Sequence, residues 1–228
     1  MFLPYDTLEW PTEIKNEDEK RRIAFELARF AKDGDVIGVG SGTTSFLGLL
    51  ALAERIKFEG LRISIVASSL ECQWYAESAG IEIHQQVPNK IDWAFDGADE
   101  IDKQRNLIKG RGGALLRERQ VLEIAKRIII VADSSKYVER LGDKFLVPVE
   151  VDPAFARRFA IKADEAGTHF LLRMGFPGKD GPLITESGNL LFDCRLAGSI
   201  QLFEEFILDL PGVRATGLFT GFDIEVLV

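Results

Sequence analysis

Few residues in this chain lend themselves to disulfide, redox or metal chemistry. There are two cysteines, Cys72 and Cys194, far apart and in no CxxC motif. They give no disulfide framework and read as reduced, buried thiols. The two histidines, His84 and His169, are equally distant and offer no zinc-type spacing. Catalysis is therefore expected to rest on carboxylates or lysine, with no metal and no other cofactor. No apolar run approaches the ~20 residues of a membrane span; the longest, starting at Phe46, reads as a packed helix. The first twenty residues lack a basic stretch followed by an apolar one and are acidic for a transit peptide, so neither leader is expected, and a cytoplasmic location is. Basic residues are outnumbered 28 to 36 and the net charge is −8, which disfavours nucleic acid or an anionic membrane as partner. An anionic ligand would need a locally positive site built from loop amides, helix N-termini and a few lysines.

What is present is an alternation of strand and helix. Asn16 followed by Glu19 reads as a capping-box variant. It opens a helix in which Ile23, Leu27, Phe30 and Ala31 recur with helical spacing. VIGVG (36–40) is a β-branched strand entering a glycine-rich turn, and a helix follows over about 44–56. Further strands are expected at 62–67, at 81–84, before Asp96 and at 127–131, with helices at 70–80 and 114–126. This pattern predicts an α/β fold: a Rossmann-like parallel sheet with ligands at strand C-termini. After Lys144 the strands come in pairs with two helices, the sign of a second, smaller α+β domain of ferredoxin-like type. ITESGNLLFD reads as a hairpin around Ser187–Asn189, and FDIEVLV as a strand returning to the first domain. The expected division is 1–143 plus 217–228 for the α/β catalytic domain and 144–216 for the small one.

Four segments carry chemistry. Gly38-Val-Gly40-Ser41-Gly42-Thr43-Thr44 is a strand-to-helix turn rich in amides and hydroxyls. It suits a phosphate, and alone it equally suits a tight βα turn holding nothing. It is not a dinucleotide fingerprint, because Thr43 stands where the last glycine belongs, nor a Walker A loop, because it has no lysine. Asp96-Gly97-Ala98-Asp99-Glu100-Ile101-Asp102 offers paired carboxylates, one able to perturb the other. Alone it is also compatible with a solvated acidic turn or a divalent-cation site, though it lacks EF-hand spacing. Lys109-Gly110-Arg111-Gly112-Gly113 leads into a helix carrying Glu118, whose place near the N-terminus favours the ionised form a base needs. Arg117-Glu118-Arg119 alone is otherwise a charged helix face. Lys136 follows the buried strand at 127–131, where it is either an anion contact or an ordinary surface lysine.

Together, GSGTTS, DGADEID, KGRGGALLRE and ADSSK resemble the ribose-5-phosphate isomerase A family, in order and in spacing. Lys109 lies thirteen positions after Asp96, and Glu118 nine after Lys109. VASS, VPVEV, ESGNLLFD and PGV…GLF extend the resemblance over almost the whole chain. It implies that Glu118 matches the proton-transferring base, Asp96 and Asp99 the paired aspartates, and Lys109 the active-site lysine. It implies substrate contacts at Ser41, Gly42, Thr43, Thr44, Gly97, Ala98, Gly110, Arg111, Gly112 and Lys136, and at Lys20 near the start of the first helix. Arg111 departs from the pattern, standing where some members have a third glycine. The first dozen residues have no counterpart in it. The activity implied is metal-independent interconversion of ribose 5-phosphate and ribulose 5-phosphate in the pentose phosphate pathway, by a homodimer or homotetramer. Two other classes compete. A non-catalytic sugar-phosphate sensor would not need Asp96, Asp99, Lys109 and Glu118 together. A nucleotide-dependent oxidoreductase or kinase is disfavoured by the failed motifs above.

Overall fold

A computed structural model describes Ile14 and residues 16–228; the readings made above for the first dozen residues lie outside the described residues. The packing divides the chain into two compact units. Unit 1 holds the described residues up to Gly97, with Gln120–Ser135 and Asp223–Val228. Unit 2 holds Ala98–Arg119 and Lys136–Phe222.

In unit 1, β1 (Val36–Val39), β2 (Ser64–Ala67), β3 (Glu82–Ile83) and β4 (Trp93–Gly97) are interleaved with α1 (Glu17–Ala28), α2 (Gly42–Glu59) and α3 (Leu70–Ser78). Unit 2 contributes β5 (Glu100–Ile101), β6 (Leu107–Ile108) and the start of α4 (Leu115–Ile124), and the chain returns to unit 1 with the end of α4 and β7 (Ile128–Val131). In unit 2, β8 (Val147–Val151), α5 (Ala156–Glu165), β9 (Phe170–Leu172), β10 (Leu190–Cys194), α6 (Ile200–Leu208), β11 (Val213–Thr216) and β12 (Leu218–Phe219) follow. The last strand, β13 (Ile224–Leu227), belongs to unit 1.

Unit 1 is built on a six-stranded sheet in the order β13-β7-β4-β1-β2-β3, every neighbouring pair parallel. Its strands are short, β-branched and mostly buried, as a sheet covered on both faces demands. The strand order reverses between β1 and β4, so the crevice beyond the carboxyl ends of those two strands is the expected ligand position. Leu27, Phe46, Leu49, Leu52, Ile65 and Phe95 are core members. The last strand returns to pair with β7, as the sequence indicated. Asn16 departs from expectation: it has φ 55°, left-handed, and its side chain makes no cap hydrogen bond. Asparagine tolerates that conformation, and only its carbonyl engages the helix, accepting from Lys20 N–H.

Unit 2 contains two smaller antiparallel sheets. The chain order β8-α5-β9-β10-α6-β11 with sheet order β11-β8-β10-β9 is a split βαβ arrangement of ferredoxin-like type. The expected turn at 187–189 is present, with Thr185 N–H donating to Asn189 and Gly188 N–H to Thr185. The other sheet, β12-β6-β5, makes the division of the chain differ from the one drawn at 143/144 and 216/217. Residues 98–119 go with unit 2 because β6 pairs with β12, a strand far along the chain, and not with the parallel sheet. Among the described residues no helix is long and apolar enough to cross a membrane.

Candidate active site

The switch point of unit 1 gathers the first group of candidates. Gly40 N–H donates to Phe95 O at 2.9 Å, which holds the end of β1 against β4. A Cβ at Gly40 would sit 2.0 Å from Asp96 Cγ, so this position admits no side chain while Asp96 keeps its place. Asp96 is buried. Its Oδ1 accepts from Gly97 N–H at 2.7 Å and from Ser45 Oγ at 3.4 Å. Ser45, fully buried in α2, was absent from the sequence candidates; nothing in a helical serine signals a partner 51 positions away. Ser41 is the N-cap of α2 with extended backbone, and its side chain does not cap the helix. Gly42, Thr43 and Thr44 form the first turn, so amides and hydroxyls cluster where the helix dipole is positive. Lys20 reaches this turn, with Nζ donating to Thr43 Oγ1 at 3.4 Å.

The second group lies in unit 2. Lys109 follows β6 directly and Glu118 stands in the first turn of α4. Their side chains meet at 3.1 Å, Nζ to Oε2, and are 3% and 2% exposed. Burial at that level decides how the pair should be read. Removing two charges from water costs about what their attraction returns, so such a pair is a poor device for stability. It is a good device for chemistry, since fixed charges act strongly where water is excluded.

Asp99 is half-buried. Burial pushes its carboxyl above the usual carboxylate range; Lys109, Arg111 and Lys136 oppose this, and Glu118 adds to it. Arg111 N–H donates to Asp99 Oδ2 at 3.4 Å, while the Arg111 guanidinium stacks on Phe145 at 4.0 Å. The glycine loop is partly self-satisfied, because Gly113 N–H donates to Gly110 O at 3.0 Å. Ala98 and Lys136 belong to this unit, and Gly97 to unit 1.

Two further acids of the DGADEID run serve the fold. Glu100 is fully buried and accepts from the backbone amides of Gly142, Lys144 and Phe145 at 2.6–2.7 Å. Asp102 caps the β5–β6 turn through the amides of Gln104 and Asn106 at 2.9 and 2.8 Å. Among the described residues no three His, Cys, Asp or Glu side chains converge as a metal would require.

A parallel α/β unit with an amide- and hydroxyl-lined turn at its switch point, joined in one chain to a unit with a buried carboxylate–ammonium pair, is the construction of an α/β enzyme. The comparisons with known proteins agree. The family model described as ribose 5-phosphate isomerase A (phosphoriboisomerase A) matches residues 64–228, and the chain belongs to that family. Ribose-5-phosphate isomerase A of Methanocaldococcus jannaschii is 39% identical over 219 residues, 94% of this chain and 95% of that one. The solved structure of the enzyme from that organism superposes with a TM-score of 0.87 at 36% identity, covering 94% and 96% of the two chains. A D-ribose-5-phosphate isomerase solved in complex with phospho-erythronic acid gives 0.84 at 34% identity, covering 93% and 94%.

Proposed function

We propose that this chain interconverts D-ribose 5-phosphate and D-ribulose 5-phosphate through a cis-enediolate, in the non-oxidative pentose phosphate pathway, with Glu118 as the base. The observation that carries this reading is the buried Glu118–Lys109 pair at 3.1 Å. A carboxylate placed in the first turn of a helix can take a proton from carbon. An ammonium beside it can hold the charge that then develops on oxygen.

The proposed sequence begins with the open-chain aldose. Glu118 removes the C2 proton, and the C–H electrons form the C1–C2 double bond as the carbonyl oxygen becomes an oxyanion. Lys109 and the amides of Gly110 and Gly112 stabilise that charge. A proton passes from the C2 hydroxyl to the C1 oxygen, and Glu118 returns its proton to C1, leaving the ketone at C2. Ring opening and the oxygen-to-oxygen transfer fall to the paired aspartates. Asp99 suits the donor role, since burial raises its affinity for a proton. The turn at Ser41–Thr44, with Lys20, takes the phosphate and fixes the sugar for reaction, and Lys136 is proposed as a further substrate contact. The relative solved with phospho-erythronic acid supports such a ligand, a phosphorylated acid carrying its own planar oxyanion.

The partner proposed is a second copy of the chain, in a homodimer or homotetramer. β9 is the edge of its sheet and, with the segment after it, exposes Leu171, Leu172, Met174 and Phe176. An apolar edge of this kind pairs readily across a two-fold axis, and the mass in solution by light scattering tests it. A reducing, cytoplasmic location is consistent with Cys72 and Cys194, both buried and in no disulfide, the latter with its thiol pushed up to about 12 by burial.

The test of function is turnover of ribose 5-phosphate in excess chelator, beside Glu118→Gln. Ribulose 5-phosphate formed by the native chain and lost in the variant supports the reading. Absence of turnover, with the sugar phosphate still protecting the fold against heat, points to a sensor.

A further inference from the structure

Phe219 is 1% exposed and sits in β12, opposite Leu107 in the strand that delivers Lys109. Its ring carries two cations: Lys109 Nζ lies over it at 5.4 Å from the centroid, and Arg119 Cζ at 4.7 Å. Both are within the ~6 Å at which a ring's quadrupole attracts a cation. The backbone around this pairing is tightly set. Lys109 N–H donates to Gly217 O at 2.9 Å, and a Cβ at Gly217 would lie 2.4 Å from Lys109 O, so only glycine lets the two segments approach. Arg119 is itself anchored, donating to Leu218 O at 2.5 Å and pairing with Glu204 at 3.4 Å. Glu204 accepts from Thr216 Oγ1 at 3.0 Å and Thr220 Oγ1 at 3.2 Å, which clasps both ends of the segment bearing the ring.

We infer that Phe219 is a positioning residue for Lys109, holding its ammonium against Glu118 through the face of the aromatic ring. This inference rests on the isomerase reading above. A flexible lysine head is held in one place by every group that engages it, and a group that cannot take its proton can do so without altering its charge. A ring face attracts the charge and cannot accept the proton. Arg119 and its clasp fix the ring, and the ring fixes the lysine.

The test replaces Phe219 with phenylalanines bearing one, two and three ring fluorines, which keep shape and burial while draining the ring of its negative face. The expected result is a stepwise fall in kcat, reaching about tenfold at three fluorines, with KM for ribose 5-phosphate little changed. Phe219→Leu should show a loss of the same order, and Phe219→Tyr should restore most of it. A kcat that stays flat across the fluorine series, or equal values for the Leu and Tyr variants per folded molecule, overturns the inference and leaves Phe219 as core packing. If the isomerase reading itself fails, the native chain shows no turnover, a different outcome from a flat series on an active enzyme.

Discussion

The two units hold candidate residues of opposite kinds. The candidates of unit 1 are mainly backbone amides and hydroxyls at a strand-to-helix turn, with one buried carboxylate wedged against Gly40. The candidates of unit 2 are a basic and an acidic side chain sealed from water, Lys109 with Glu118, close enough to bias Asp99. Dipoles fixed by the fold bind an anion without demanding a proton from it. Buried charges are costly to hold and are worth holding only where charge must move. Changes at the Ser41–Thr44 turn should therefore register in KM, and changes that split the Lys109–Glu118 pair in both kcat and fold stability.

The largest effect should follow from splitting the buried pair. Lys109→Met leaves Glu118 charged and unmatched by it, and should cost about 3–5 kcal/mol in urea unfolding. Adding Glu118→Leu should return most of that stability and none of the activity. Recovery of turnover in the double variant would contradict a chemical role for the pair. Gly40→Ala comes next. Its methyl would occupy the space of the Asp96 carboxyl, and overpacking of that kind costs roughly 1–3 kcal/mol. A variant as stable as the native chain would show that the β1 end is looser than its geometry indicates. Thr43→Val removes one hydroxyl from the turn; KM should rise about tenfold, with kcat nearly constant. A fall in kcat alone would move Thr43 out of the binding group.

The smallest effect concerns pH. The folded state raises the proton affinity of Asp99, so its contribution is full below the unfolded-state pKa and is lost as pH rises through the folded one. Asp99→Asn removes that loss. The variant should melt higher than the native chain at about pH 8 and show no such gain at about pH 3. A gain that is the same at both pH values would remove burial as the cause.

Much of this architecture is legible from local pattern. VIGV and IIIV are too short and too β-branched to be helices, and each is followed by a segment suited to a strand end. The four chemical segments stand out because glycines and acids cluster there. What stays hidden depends on the return of distant chain. DGADEID does not reveal that Glu100 is taken by amides more than forty positions on, or that Asp102 only closes a turn. The assignment of residues 98–119 to unit 2 depends on β6 meeting β12, and the same pairing brings Phe219 to Lys109. No periodicity near Leu107 announces either. Asn16 followed by Glu19 has the letters of a cap, yet a left-handed backbone at Asn16 comes without the side-chain bond.

The central claim is that Glu118 moves the proton between C2 and C1. The most direct measurement is the reaction run in heavy water with chelator present, following deuterium at C1 of the ribulose 5-phosphate formed. The native chain should form ribulose 5-phosphate whose C1 carries the hydrogen taken from C2, with solvent deuterium only in the fraction where the Glu118 carboxyl exchanges before returning it, and Glu118→Gln should form neither product nor labelled carbon. Product formation, or exchange of deuterium into C1, that persists in Glu118→Gln would contradict the account.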